Sequence, residues 1–307
     1  MSMSDRIVIT GASGLLGRTL VVQARQRGHD VVALTSADCD ITDPVAIERW
    51  IDADDAVINC AAYTKVDEAE RDEVRAYAVN ATGAEYVAHA CARAGARLIH
   101  VSTDYVFSGD FADGQPRPYE LDDETGPLSV YGRSKLAGEF AVLTAMPDAH
   151  VVRTSWIFSG GEGADFVAAI RGKAAGEGEV DVVADQIGSP TYVGDLAEAL
   201  LDIAAGDIRE PVLHAANSGA TSRYEQARAV FELLGADPER VRPVGSDKHP
   251  RPAPRPAYSV LSGRCSAEAG LTPLRPWRDA LAAALVTGGQ ERSDPGSGSG
   301  GPLTSTP

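Results

Sequence analysis

A short β-branched run, Arg6-Ile7-Val8-Ile9-Thr10, passes without a break into Gly11-Ala12-Ser13-Gly14-Leu15-Leu16-Gly17, and Arg18 to Arg27 reads as a helix that Gly28 ends. Strand, glycine triplet and helix in that order open a doubly wound parallel sheet, so the chain is expected to be α/β. Gly11 permits a tight turn, Gly14 lets backbone amides approach a pyrophosphate, and Gly17 lets the helix pack against the strand. The helix N-terminus then turns its partial positive charge toward phosphates. The spacing is G-x2-G-x2-G, and an ordinary turn is the plain alternative to dinucleotide binding. Val31-Val32-Ala33-Leu34, the second strand, ends in Thr35-Ser36-Ala37 without an acid. A 2′-phosphate is therefore not repelled, and Arg18 is expected to reach it. This favours NADPH, with NADH as the alternative should Asp38 or Asp40 bend back.

Tyr131 and Lys135, with three residues between them, share one face of a helix. An ammonium one turn from a phenol is expected to favour the phenolate and draw the tyrosine below its ordinary pKa of ~10. Such a phenol is a general acid for a carbonyl oxygen that becomes an alkoxide. Arg97 to Ser102 reads as a strand, and Ser102-Thr103-Asp104-Tyr105-Val106-Phe107 follows at its carboxyl end, where catalytic groups collect in open parallel sheets. Thr103 is expected to meet either the Tyr131 phenol or a substrate carbonyl.

The net charge of −16 argues against a nucleic-acid partner, which needs a basic footprint. No apolar run reaches membrane-spanning length, and Met1 to Asp5 lacks a signal-type basic and apolar region, so a cytoplasmic protein with no membrane contact is expected. Cys39, Cys60, Cys91 and Cys265 are scattered with no CxxC pair, which points to free buried thiols rather than a metal or redox site.

Along the rest of the chain, Asp43 and Pro44 open a short helix, and Ala56 to Ala62 reads as a buried strand. Val74 to Ala94 reads as one long helix carrying Asn80, Ser108 to Pro127 as a long loop, and His150 to Phe158 as one strand. Phe166–Ala175, Gly194–Ala205, Tyr224–Leu234 and Pro276–Val286 read as helices, with Val212–Ala216 as a last sheet strand. Lys248, His249, Arg251 and Arg255 form a basic, proline-rich stretch that reads either as an irregular surface loop or as a contact to substrate phosphates.

These motifs resemble the extended short-chain dehydrogenase/reductase superfamily and, within it, the dTDP-4-dehydrorhamnose reductase family. The matching stretches are GASGLLG from Gly11, NCAAYTKVDEAE from Asn59, STDYVF from Ser102, YGRSKLAGE from Tyr131, RTSWIF from Arg153, DQIGSPT from Asp185 and RPAYSVL from Arg255. The resemblance implies a Rossmann-like doubly wound sheet over residues 1–158, with 193–219 returning to it. Residues 159–192 and 220–286 would form a smaller, mostly C-terminal substrate domain, and 287–307 a disordered tail. It implies NAD(P)H-dependent reduction of the 4-keto group of a dTDP-4-keto-6-deoxyhexose, giving dTDP-L-rhamnose in the parent case. The implied catalytic set is Thr103, Tyr131 and Lys135. Implied cofactor residues are Gly11, Ser13, Gly14, Leu15, Leu16, Gly17, Arg18, Asp40, Ile41, Ala61, Ala62 and Tyr63, joined by Tyr131 and Lys135. Implied substrate residues are Asp104, Tyr105, Val106, Trp156 and Arg255. Mg2+ at a dimer contact is reported for some members; no clear ligands match here, so no metal-binding residue is expected, Mg2+ itself stays open, and both monomer and homodimer stand. The alternatives are a ketoreductase for another nucleotide sugar of antibiotic deoxysugar biosynthesis and a non-catalytic NADP-binding regulatory subunit. Thr103 is followed by Asp104-Tyr105 rather than Asp-Glu, which argues against a 4,6-dehydratase.

Overall fold

The computed structural model describes residues 6–111, 114–161, 164–206 and 208–290. Five β-branched segments, β1 (Arg6–Thr10), β2 (Asp30–Leu34), β3 (Ala56–Asn59), β4 (Arg97–Thr103) and β5 (His150–Thr154), join a sixth strand, Val212–His214. They form one sheet in the order Val212–His214, β5, β4, β3, β1, β2, parallel throughout. Val8, Ile9, Val57, Ile58, Leu98, Val151 and Val152 are fully enclosed because a parallel sheet carries helices on both faces. On one face the Leu15–Gln26 and Val193–Ala204 helices pack with Leu20, Leu196, Leu200 and Leu213. On the other, the Ala84–Ala94 and Val130–Ala145 helices pack with Val87, Cys91, Val142 and Val57. The expected Rossmann-like layering is therefore present.

A separate core gathers Phe158 of the Ile157–Phe158 strand with Val167, Ile170, Phe231, Ala280 and Leu281 from the Phe166–Ala174, Arg223–Leu233 and Trp277–Gln290 helices. Beside it Val180–Val183 pairs in parallel with Val241–Val244. The sequence reading missed this pair. Each member has four residues, one contains Pro243, and neither shows clean alternation.

Three expected boundaries shift. The single strand expected over 150–158 is broken, because Trp156 adopts φ +47° between β5 and the Ile157–Phe158 strand. The helix around Asn80 is not one regular helix. Glu73–Tyr77 and Ala84–Ala94 are α-helical, but Ala78–Gly83 between them has π geometry, a local widening often found at functional sites. The closing helix runs to Gln290, past the point where the tail was expected to begin, and the rest of that tail lies outside the described residues.

Candidate active site

A cavity of about 730 Å³ opens at the carboxyl ends of β1, β3, β4 and β5. Open parallel sheets place their ligand crevices at this edge. One end is built by the glycine turn. Gly11 has φ +66°, and a Cβ there would sit 2.7 Å from the Ala61 nitrogen; a Cβ on Gly17 would sit 2.3 Å from the Gly11 carbonyl oxygen. The Leu15–Gln26 helix begins at Gly14 with no side chain capping it, so its first amides are free to meet an anion. Gly11, Ser13, Gly14, Leu15, Leu16, Gly17, Asp40, Ile41, Ala61, Ala62 and Tyr63 all line the cavity, as the sequence suggested. Arg18 does not: it is exposed and donates to the Ser13 carbonyl, bracing the turn. Arg75 lines the wall instead, close enough for its charge to help hold Asp40 below the usual carboxylate range, although the Thr42 amide and hydroxyl contribute more. Asp38 folds back onto Thr35, accepting from its amide at 3.0 Å and its hydroxyl at 2.6 Å. The residues present thus fit a dinucleotide.

At the middle of the cavity Thr103, Tyr131 and Lys135 come together. Tyr131 stands on the first turn of the Val130–Ala145 helix, whose N-cap Ser129 accepts from Gly132 N–H at 3.1 Å. Asn80 locks this helix to the cofactor wall. Its Oδ1 accepts from Tyr63 N–H at 2.7 Å, and its Nδ2 donates to the Tyr63 carbonyl at 3.1 Å and the Ser134 hydroxyl at 2.9 Å. The π turn aims Asn80 inward.

The electrostatics reverse one expectation. The Tyr131 phenol is pushed up from its ordinary value, because burial outweighs the opposing hydrogen bond with Thr103. Lys135 is 2 % exposed and is itself drawn down to about 8 by burial, against the pull of Glu139 and Cys60. Desolvation therefore decides the resting state, and Tyr131 stays protonated at neutral pH. Thr103 donates to Asp104 Oδ1 at 3.1 Å and accepts from Tyr105 N–H at 3.2 Å. Asp104 is buried; desolvation raises its carboxyl while Ser259 and Ser155 donate to Oδ2 at 2.6 and 2.9 Å.

Among the expected substrate residues, Asp104, Tyr105 and Trp156 line the cavity; Val106 and Arg255 do not. Val106 is fully buried beneath the site with Phe107 and Tyr119, because its short 3-10 turn points it into the apolar layer. Arg255 forms a paired contact with Asp67, 2.8 and 2.9 Å, which ties the basic stretch to the short Val66–Ala69 helix. Trp156 owes its place to a second motif: a Cβ on Gly188 would fall 2.4 Å from the indole, so only glycine leaves room for the ring.

Arg223, missed in the sequence, lines the same end of the cavity, with its guanidinium 3.5 Å from the Trp156 ring centre and 4.8 Å from that of Phe166. A cation in the first turn of a helix opposes the helix dipole. That local violation, inside the Ser222–Glu225 capping box, was the available signal.

Comparison with known proteins agrees with this architecture. The model of the RmlD substrate binding domain matches residues 5–288. A dTDP-4-dehydrorhamnose reductase of Mycobacterium tuberculosis is 65% identical over 283 residues, covering 92% of this chain and 93% of that protein. The chain belongs to the dTDP-4-dehydrorhamnose reductase family. Its Mycolicibacterium smegmatis member is 60% identical over 305 residues, covering 99% of this chain and 90% of that protein. The crystal structure of the Bacillus anthracis member in complex with NADP superposes with a TM-score of 0.85 at 33% identity, covering 93% of this chain and 100% of that one. Among the described residues, no helix is long and apolar enough to cross a membrane, and no cluster of three or more His, Cys, Asp or Glu side chains is placed to hold a metal ion.

Proposed function

We propose that this chain reduces the 4-keto group of dTDP-4-dehydro-L-rhamnose to give dTDP-L-rhamnose, with NADPH as the reductant. One observation carries the reading: Thr103, Tyr131 and Lys135 share a cavity wall with a glycine turn that can hold a dinucleotide pyrophosphate. When bound, the cofactor supplies the hydride. The chain's own residues handle the oxygen. Tyr131, protonated at rest, gives its proton to the oxygen as it becomes an alkoxide. Lys135, with a pKa near 8, carries charge at neutral pH and favours the phenolate that remains. At rest the Thr103 hydroxyl donates to Asp104, and its hydrogen bond with the Tyr131 hydroxyl works against burial by favouring the phenolate. It orients the phenol; to donate to the carbonyl oxygen it would have to release Asp104. Residues 220–286 supply the sugar-side wall through Arg223.

The test supplies purified protein with dTDP-4-dehydro-L-rhamnose generated in place and follows oxidation of NADPH and NADH in parallel, with the product identified by NMR. NADPH is expected to be the better reductant by about tenfold, the size of one charge-assisted hydrogen bond to a 2′-phosphate. Arg75→Ser should erase most of that preference. Absence of oxidation with cofactor bound would overturn the reading.

Arg223 brings a cation to the sugar side of the cavity, and among the described residues its side chain hydrogen-bonds Gln226 Oε1 at 3.3 Å. A nucleotide sugar brings a pyrophosphate to this region. Arg223→Met is expected to raise KM for the nucleotide sugar by about tenfold or more, with a smaller change in kcat and none in cofactor affinity. Steady-state kinetics at saturating NADPH read this directly.

A further inference from the structure

Lys135 has a buried partner that the reaction described above does not use. His100, on β4, is fully enclosed between Asn59 at the end of β3 and Lys135. The hydrogen-bond directions around it are settled from one end. The Ala61 backbone N–H can only donate, and it donates to Asn59 Oδ1 at 3.2 Å; the Thr10 hydroxyl donates to the same oxygen at 2.6 Å. This orientation turns the Asn59 amide nitrogen toward His100 Nδ1 at 3.0 Å. An amide NH2 only donates, so Nδ1 is a bare lone pair and the ring hydrogen sits on Nε2. Nε2 faces Lys135 Nζ at 3.2 Å. An imidazole N–H facing an ammonium sets donor against donor, whereas the same N–H facing a neutral amine makes a hydrogen bond. The other Lys135 contact, to the Val101 carbonyl at 2.8 Å, suits either form.

We propose that His100 is a positioning residue for the proton on Lys135: locked by Asn59 in its Nε2–H tautomer, it favours the neutral amine over the ammonium. The importance of this for turnover rests on the reading of Lys135 as the partner of Tyr131. His100 is itself held well below its ordinary range by burial and by the Lys135 charge, so it is neutral at working pH and its tautomer is what varies. The other charged or titratable groups around Lys135 do not settle the matter alone. Glu139 on the same helix favours the ammonium but is paired with Arg153 of β5, 2.8 Å away. Cys60, beyond β3, is pushed up to about 12 and stays a thiol. Tyr131 is protonated, and Asp104 and Tyr105 lie past the end of β4 on the Tyr131 side. Arg75 of the neighbouring helix lies on the cavity wall near Asp40.

The chain has only four lysines, Lys65, Lys135, Lys173 and Lys248, and six histidines, so both partners can be followed by NMR on the full chain without cofactor or substrate. Long-range 15N–1H spectra should show His100 as the Nε2–H tautomer. A 13Cε titration should place Lys135 near pH 8, well below the ordinary lysine value of about 10.4. Asn59→Asp keeps an acceptor for Ala61 and Thr10 but offers His100 Nδ1 a second oxygen. The tautomer should switch to Nδ1–H and the Lys135 midpoint rise by about one pH unit or more. His100→Leu removes the N–H without adding charge, and the midpoint should rise again. An Nδ1–H tautomer in the unmodified protein overturns the proposal. So does a midpoint unmoved by either variant, or a rise in Asn59→Asp with the tautomer unchanged, which assigns the effect to the added charge. If His100→Leu does not fold, the tautomer in Asn59→Asp decides. Neither readout needs turnover, so failure here is distinct from failure of the reductase reading.

Discussion

Tyr131→Phe is expected to lower kcat by roughly 10²–10⁴-fold, the ordinary contribution of a positioned general acid. The substitution removes one oxygen and leaves the ring, which meets Tyr105 edge-on at 5.6 Å between centroids and 76° between planes. The fold and the glycine cradle are untouched, so NADPH titrated into the variant should bind within about threefold of the unmodified affinity, a change of less than 1 kcal/mol. That split separates chemistry from binding. Turnover that survives at more than about a tenth of the original rate would remove Tyr131 from the reaction, since this falls short of the 10² minimum expected.

The second large effect is on stability. Behind Lys135, Glu139 accepts from Arg153 Nη2 at 2.8 Å and Nε at 3.1 Å, and also from the Ser102 hydroxyl. The two side chains are 4% and 7% exposed, so this is a buried ion pair joining the Val130–Ala145 helix to β4 and β5. Its attraction is offset by the cost of desolvating both ions, but removing one partner leaves the other charge uncompensated. Glu139→Leu is therefore expected to destabilise the protein by about 3–5 kcal/mol. Thermal unfolding should show a Tm lower by roughly 5–15 °C. Glu139→Leu combined with Arg153→Leu should recover much of this loss, because no lone charge is then buried. A single variant with an unchanged Tm would show that water reaches the pair. The arginine of the RTSW motif, which stacks 5.2 Å over the Phe107 ring, is on this reading a strut under the site rather than a ligand contact.

Much of the site was legible from residue order alone, because it depends on short-range rules. Gly11, Gly14 and Gly17 must lie between a strand and a helix to leave amides bare, and all three of those facts are local. Tyr131 and Lys135 share a helix face whatever surrounds them. What misled was also local reasoning: an ammonium four residues away was expected to draw the phenol down, but the pocket wall desolvates both groups and burial wins. Val106 looked like a site residue because its neighbours are; a 3-10 turn points it the other way.

The sequence by itself determined the parallel α/β class, the glycine turn and the shared helix face of Tyr131 and Lys135, since each is written in spacings of a few residues. Only the tertiary structure decided what meets across long separations. Trp156 enters the cavity because Gly188 makes room, Arg255 is taken by Asp67, Arg223 reaches the cavity from a distant helix, and His100 closes on Lys135. The physical reason is common to all four. Packing partners dozens to nearly two hundred residues apart carry no periodic signal, and the desolvation that fixes protonation states exists only once the layers have closed.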